Sequence, residues 1–283
     1  MERRMITPPE MVDDAINIGI KKAKSETIQT VIGGILAGAY IALGGLAAAI
    51  ASHSVENFGL SKFIAGAVFP VGLMMIVICG GELFTGNTLL LVANKDGKIS
   101  FSQVLKNWGI VYFTNMIGSF LVAYFAFASG TFDGNGGKIG GYALKVAAYK
   151  AGLPFYKAFI SGILCNVLVC LAVWASYAAK DIVSKIFAIW FPIMAFIIGG
   201  FEHSVANMYY FSAGLLAKLN PAYAEALNIT ADKLDKINAA HIVSNLIPVT
   251  LGNIVGGGIF VGLAYYYLYK VPQYRAEKVS KTL

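Results

Sequence analysis

Two apolar stretches in this chain are longer than a membrane crossing needs. Phe63–Val92 and Ile186–Leu219 run for 30 and 34 residues, whereas an α-helix crosses the hydrocarbon core in ~20. Each is interrupted by a glycine pair and then a carboxylate: Gly80-Gly81 before Glu82, and Gly199-Gly200 before Glu202. Backbone stripped of helical hydrogen bonds survives at membrane depth only where protein or a water-filled cavity surrounds it. The two stretches therefore read as discontinuous helices facing the inside of a bundle. Thr30–Ala51, Trp108–Ser129, Phe155–Ala179 and Ile242–Tyr269 are also long enough to cross, which makes six spans. Charged residues are only 13% of the chain, about half the share usual in soluble domains. The fold class expected is an all-α, multi-pass membrane protein.

The halves echo each other in order. Gly-Ile-Leu at 34–36 returns at 162–164, and Phe69-Pro70 returns as Phe191-Pro192. The glycine pair with its acid returns as described above. Asn115-Met-Ile-Gly118 returns as Asn253-Ile-Val-Gly256. With three spans per half, the second half enters the membrane from the opposite side, so the repeat is inverted. Glycine-interrupted apolar segments at matching places in inverted halves point to a binding site between them. The expected division is an N-terminal amphipathic helix over 1–27, a six-helix membrane domain over 28–270 (repeat one 28–129, repeat two 155–270) and a tail over 271–283. Gly34 and Gly38, and Gly252, Gly256, Gly257, Gly258 and Gly262, read as helix-packing positions.

The first residues lack the apolar core of a cleavable signal. Thr7-Pro8-Pro9-Glu10 has capping-box spacing with proline in the first turn. Val12, Ile16, Gly19, Ile20 and Ala23 follow on one face. Two placements fit that pattern equally: a helix lying at the membrane surface, or one packed on the protein's own loops. Net charge is +7. In a chain this apolar the excess reads as topology, not as affinity for nucleic acid. With the N-terminus inside, the cytoplasmic segments hold 14 of the 22 Lys and Arg (Arg3, Arg4, Lys278 and Lys281 among them). That bias places both termini in the cytoplasm. Tyr265, Tyr266, Tyr267 and Tyr269 suit an interfacial belt before Lys270. Cys79, Cys165 and Cys170 read as small core residues, with no disulfide or metal cluster.

Taken together, VICGGELFTG at 77–86, SGILCNVLVCLA at 161–172, GFEHSVANMYY at 200–210 and NLIPVTLGN at 245–253 resemble the signatures of the formate/nitrite transporter family, and the likeness runs over nearly the whole chain. It implies an aquaporin-like fold with helices two and five broken. It implies a homopentamer with one pore per protomer, and passage of formate, nitrite or hydrosulfide or their conjugate acids across a bacterial inner membrane. No cofactor is implied. Carried over by position, His203 is the central histidine and Thr85 its partner. Phe69 and Phe196 form an outer constriction, and Leu73, Leu83 and Phe84 an inner one. Lys150, Asn166, Asn253 and Glu202 flank the path.

Read on its own, an ionisable residue inside a membrane span marks a path or a relay, or else a satisfied buried group. For His203 the readings are a proton donor, a hydrogen-bond donor that keeps its proton, or a neutral structural imidazole. Glu202 and Glu82 read as supports, because a carboxylate in an anion path repels its substrate. Thr85 suits either orienting His203 or capping a helix. Asn166 and Asn253 suit pore lining or interhelical bonding. An enzyme is not expected: His53, His203 and His241 are far apart in sequence, and neither HExxH nor GxSxG occurs. A water channel is disfavoured because Asn87-Thr88-Leu89 and Ala206-Asn207-Met208 stand where paired Asn-Pro-Ala motifs would. The remaining rival is a proton-coupled transporter of the same anions.

Overall fold

The computed structural model describes the backbone of residues 5–280 and the side chains of residues 5–275. Arg3, Arg4 and Lys281, used in the topology argument, lie outside the described residues, as do the side chain of Lys278 and the end of the expected tail.

Thr7 starts α1 (Pro8–Lys24) with the expected box: its backbone N–H donates to the Glu10 carboxylate at 2.6 Å. Lys21, Lys22 and Lys24 sit in the last turn, where the helix dipole favours cations. α1 buries Met11, Val12, Ala15, Ile16 and Gly19. A Cβ on Gly19 would lie 2.6 Å from that of Ala93. The apolar face is thus filled by protein, as the packed placement requires.

α2 (Thr27–Ser52) leads to α3 (Phe58–Val68) and α4 (Val71–Cys79), stacked end to end through Phe69-Pro70. The chain then breaks over 80–83 and resumes as α5 (Phe84–Asn87) and α6 (Leu90–Lys95). α7 (Phe101–Ala128) completes the first half, and α8 (Lys138–Ala151) connects the halves. The second half is α9 (Phe155–Ala178), α10 (Ile182–Gly199), a break over 200–203, α11 (Ser204–Ala217), the short α12 (Pro221–Ala226) and α13 (Ala231–Asp235), then α14 (Ala239–Asn253). α14 runs on through π-helical turns over Ile254–Leu263 and Tyr266–Lys270 into α15 (Val271–Ser280).

Six helices among the described residues are long and apolar enough to cross a membrane. Their outward faces carry large apolar side chains such as Phe113, Phe125, Phe155 and Phe191, all more than half exposed, as contact with lipid tails requires. The two broken elements re-enter. α4 ends near the start of α2, where the Glu82 N–H meets the Gly33 carbonyl at 2.9 Å. α6 leads back to Asp96, which accepts from Tyr266 and Tyr274 beside the C-terminal helix. Both ends of that excursion lie on the face that carries α1 and α15, here the terminal face. α10 and α11 make the mirror excursion from the opposite, far face. Each break begins on a glycine of positive φ, Gly80 at 96° and Gly200 at 68°, where a side chain would be strained.

Three expectations are adjusted. Phe69 is buried, whereas Phe191 is 64% exposed, so that echo joins unlike environments. Of the tyrosine cluster, Tyr267 faces outward, but Tyr266 is buried with its hydroxyl on Asp96, and Tyr265 stacks on Trp174 at 5.0 Å; the cluster chiefly docks the last helix. Cys79 is exposed, unlike Cys165 and Cys170.

Candidate functional site

Each break is held by one asparagine. In the first half Asn115 accepts from the Phe84 N–H at 2.9 Å, and its amide donates to the carbonyls of Gly34 at 2.7 Å and Glu82 at 2.8 Å. In the second, Asn253 accepts from the Ser204 N–H at 2.9 Å and donates to Gly162 at 2.8 Å and Glu202 at 3.0 Å. A side-chain amide supplies both the acceptor and the two donors that an unwound backbone lacks. Asn253 is thereby fully engaged.

The carboxylates are held in parallel fashion. Glu202 accepts from Lys150 Nζ at 2.8 Å and from Asn207 at 2.6 Å, and Asn207 also donates to Asn245 at 2.8 Å. Glu82 accepts from Lys22 Nζ at 3.0 Å and from Asn87 at 2.7 Å, and Asn87 also donates to Asn107 at 2.8 Å. Lys22 comes from α1 and Lys150 from α8, the two helices outside the six spans. Asn87, Asn107, Asn207, Asn245 and Lys22 were not among the expected site residues. A signal for four of them is present: Glu-to-Asn spacing is the same in GELFTGN and FEHSVAN, and Asn107 precedes Asn115 by as many residues as Asn245 precedes Asn253.

Between the networks lies His203, 1% exposed. It caps α11: the Ala206 N–H donates to Nδ1 at 3.1 Å. Nδ1 is then the acceptor of a neutral imidazole, so Nε2 carries the proton and donates to Thr85 Oγ1 at 2.9 Å. That leaves the Thr85 hydroxyl proton free to point elsewhere. Asn166 donates to the Thr85 carbonyl at 3.1 Å, to Thr88 at 3.2 Å and to the Asn253 carbonyl at 2.6 Å. Its Oδ1 is buried without a protein partner. Thr85 itself is fully buried.

Beside the imidazole, Ile41, Phe69, Leu73, Leu83, Val169, Ile193 and Phe196 close around a gap too narrow for a water molecule. Phe69 and Phe196 meet edge to face at 5.5 Å, and Phe196 stacks on His203 at 5.9 Å. Four of the five expected constriction residues thus share one lining. Phe84 does not join them, since it packs on Tyr112 at 5.0 Å and Trp108 at 6.1 Å.

Six spans, two re-entrant half-helices and a buried imidazole where they meet define a membrane protein of the pore-forming type, multi-pass and built from inverted halves. More narrowly, the chain belongs to the formate/nitrite transporter family, whose profile, described as "Formate/nitrite transporter", matches residues 9–267. Its relatives include the Formate channel FocA of Haemophilus influenzae, 39% identical over 94% of this chain and 95% of that protein. The Formate channel BtFdhC of Bacillus thuringiensis is 37% identical over 93% and 95%. Among solved structures, one titled "Pentameric formate channel with formate bound" superposes with a TM-score of 0.80 at 36% identity, over 88% of this chain and 98% of that one.

Proposed function

We propose that this protein is a channel for small monovalent anions, formate foremost, crossing as anion or conjugate acid through a pore in each protomer of a homopentamer. The setting is a bacterial inner membrane with both termini cytoplasmic, so the far face is periplasmic. The observation that carries the proposal is the Thr85–His203 pair, buried beside a dry apolar ring at the meeting point of the half-helices. A bare anion in such a ring lacks compensation that costs many kcal/mol to forgo. The neutral acid avoids that cost, and a hydroxyl at the centre gives either form one hydrogen bond.

Of the readings open for His203, the geometry favours a donor that keeps its proton. An imidazolium would carry a proton on Nδ1 and would lose the Ala206 N–H bond that starts α11. His203 instead orients the Thr85 hydroxyl, which is the group presented to the permeant species. Phe69, Phe196, Leu73 and Leu83 form the barrier. Lys150, Glu202, Asn253 and Asn166 hold the walls, with the free Asn166 Oδ1 available to accept from an acid O–H.

Formate flux into proteoliposomes tests this. Thr85→Val keeps the shape and removes the donor, and should reduce flux by about a hundredfold, the low end for loss of one preorganised hydrogen-bond donor. Thr85→Ser should retain most of it. His203→Asn separates the two roles for the imidazole: a donor that keeps its proton predicts reduced flux with the wild-type dependence on pH. Equal flux in Thr85→Val and wild type would end the proposal.

A further inference from the structure

The second network raises an electrostatic question that a channel reading leaves open. Lys150 is the natural candidate to draw an anion to the far mouth, but its charge is already cancelled. Its ammonium bonds to Glu202 at 2.8 Å and lies 5.4 Å from the Tyr210 ring. Its carbonyl is held by Asn245 at 2.8 Å. A second lysine stands near this pair. Lys62, half-buried on the first turns of α3, reaches across to the break in the other half, and its Nζ lies 3.3 Å from where a Cβ on Gly200 would be. The charges bearing on it include Lys150 and Glu202. It makes no ion pair and no hydrogen bond with protein among the described residues, and its ammonium lies 5.8 Å from the Phe58 ring.

A plainer role would be to close α10, because cations favour helix C-termini. That end is already closed, since the Gly200 N–H donates to the carbonyls of Ile197 and Phe196. Lys62 donates to neither. Lys62, Lys150 and Glu202 together carry a net charge of one positive unit, and of the two ammonium groups Lys62 is the one with no carboxylate bonded to it. At the terminal face the corresponding pair, Lys22 and Glu82, sums to zero. Gly200 keeps the space in front of the Lys62 ammonium open.

We propose that Lys62 is the anion-capturing cation of the far mouth, where it holds an incoming carboxylate against the Gly200 bend before the apolar ring, while Lys150 serves the wall. This rests on the channel reading. A cation in a low-dielectric cleft concentrates anions and raises their entry rate in a manner that salt suppresses.

The experiment is initial formate influx into proteoliposomes, measured against formate concentration and ionic strength, for wild type, Lys62→Gln, Lys62→Arg and Lys62→Glu. In Lys62→Gln, influx at sub-saturating formate should fall by roughly threefold to tenfold, saturating influx should stay near wild type, and the salt dependence should flatten. Lys62→Glu should fall further, and Lys62→Arg should match wild type. The capture role is overturned if Lys62→Gln keeps both wild-type influx and its salt response. It is equally overturned if Lys62→Gln lowers saturating influx and melting temperature together while Lys62→Glu is no worse. Absence of formate influx in the wild type would instead sink the channel reading, and the capture proposal with it.

Discussion

The two halves solve one structural problem with the same parts and then diverge within the loops they hold. In each, an asparagine on the third span fastens an unwound loop, and a lysine from outside the spans neutralises the acid of that loop. Counting from the backbone N–H that each asparagine accepts, Phe84 in one half and Ser204 in the other, the preceding residue is Leu83 in the first and His203 in the second. Two residues beyond Leu83, Thr85 crosses the interface to meet that histidine at 2.9 Å. The shared residues build a frame, and the site arises where the halves differ. The frames also differ in wetness. The side chains of Lys150 and Glu202 are 11% and 2% exposed, against 24% and 19% for Lys22 and Glu82.

The equivalence of the frames is open to direct attack at the asparagines, where the largest effect is expected. Asn115→Ala and Asn253→Ala each strip a partner from one N–H and two carbonyls, all buried except the part-buried Glu82 carbonyl of the first half. At roughly 1–3 kcal/mol for each buried group left unsatisfied, less the loss shared on relaxation, about 3–5 kcal/mol is expected in either half. Paired thermal unfolding of the two variants in detergent, as shifts from wild type, would check it. Similar shifts support equivalence, and a large loss in one with none in the other would break it.

The acids sharpen the difference instead. Glu202→Gln leaves Lys150 charged in a nearly dry site, where removing one partner of a buried pair costs about 3 kcal/mol or more. Glu82→Gln leaves Lys22 with water at hand, and about 1 kcal/mol is expected. The ratio of the two unfolding shifts is the measurement. If Glu82→Gln were the more damaging, exposure would not be what separates the networks.

That contrast also explains what the sequence disclosed. The breaks were legible because overlong apolar stretches with glycine pairs have few foldings open to them in lipid. The Gly-Ile-Leu and Asn-x-x-Gly echoes mark real structural equivalents, as the Asn115–Gly34 and Asn253–Gly162 bonds show. The Phe-Pro echo joins unlike environments, because identity of a dipeptide does not record which way a helix turns its side chains. The Thr85–His203 contact came only through family resemblance. Its two residues are far apart in the chain, and nothing local announces a bond between them. Lys22 and Lys150 lie outside the repeats, so a repeat-based reading had no place for either, and Lys150 came in only through the family resemblance. The position of α1 was open because an amphipathic face looks the same whether lipid or protein covers it.

The smallest expected effect concerns how the two long broken helices begin. α3 is capped by Asn57, whose Oδ1 accepts the Leu60 N–H at 2.9 Å. α10 is capped by Asp181, which accepts the Ser184 N–H at 2.8 Å and its hydroxyl at 2.7 Å. Those bonds, the backbone one foremost, hold the exposed Asp181 carboxyl below its ordinary value of 3.8. The sign follows from linkage: with the folded value depressed, the stabilisation is complete above the ordinary value and is lost as pH falls through the lower, folded one. Asn57 does not titrate. Acidification from pH 5 towards pH 2 should therefore raise amide exchange, corrected for intrinsic rates, at residues 183–185 and leave residues 59–61 unchanged. Asp181→Asn should make the two starts behave alike, since asparagine caps about as well as aspartate. If the acid response at α10 survives in Asp181→Asn, its cause lies elsewhere on the terminal face and this difference between the halves disappears.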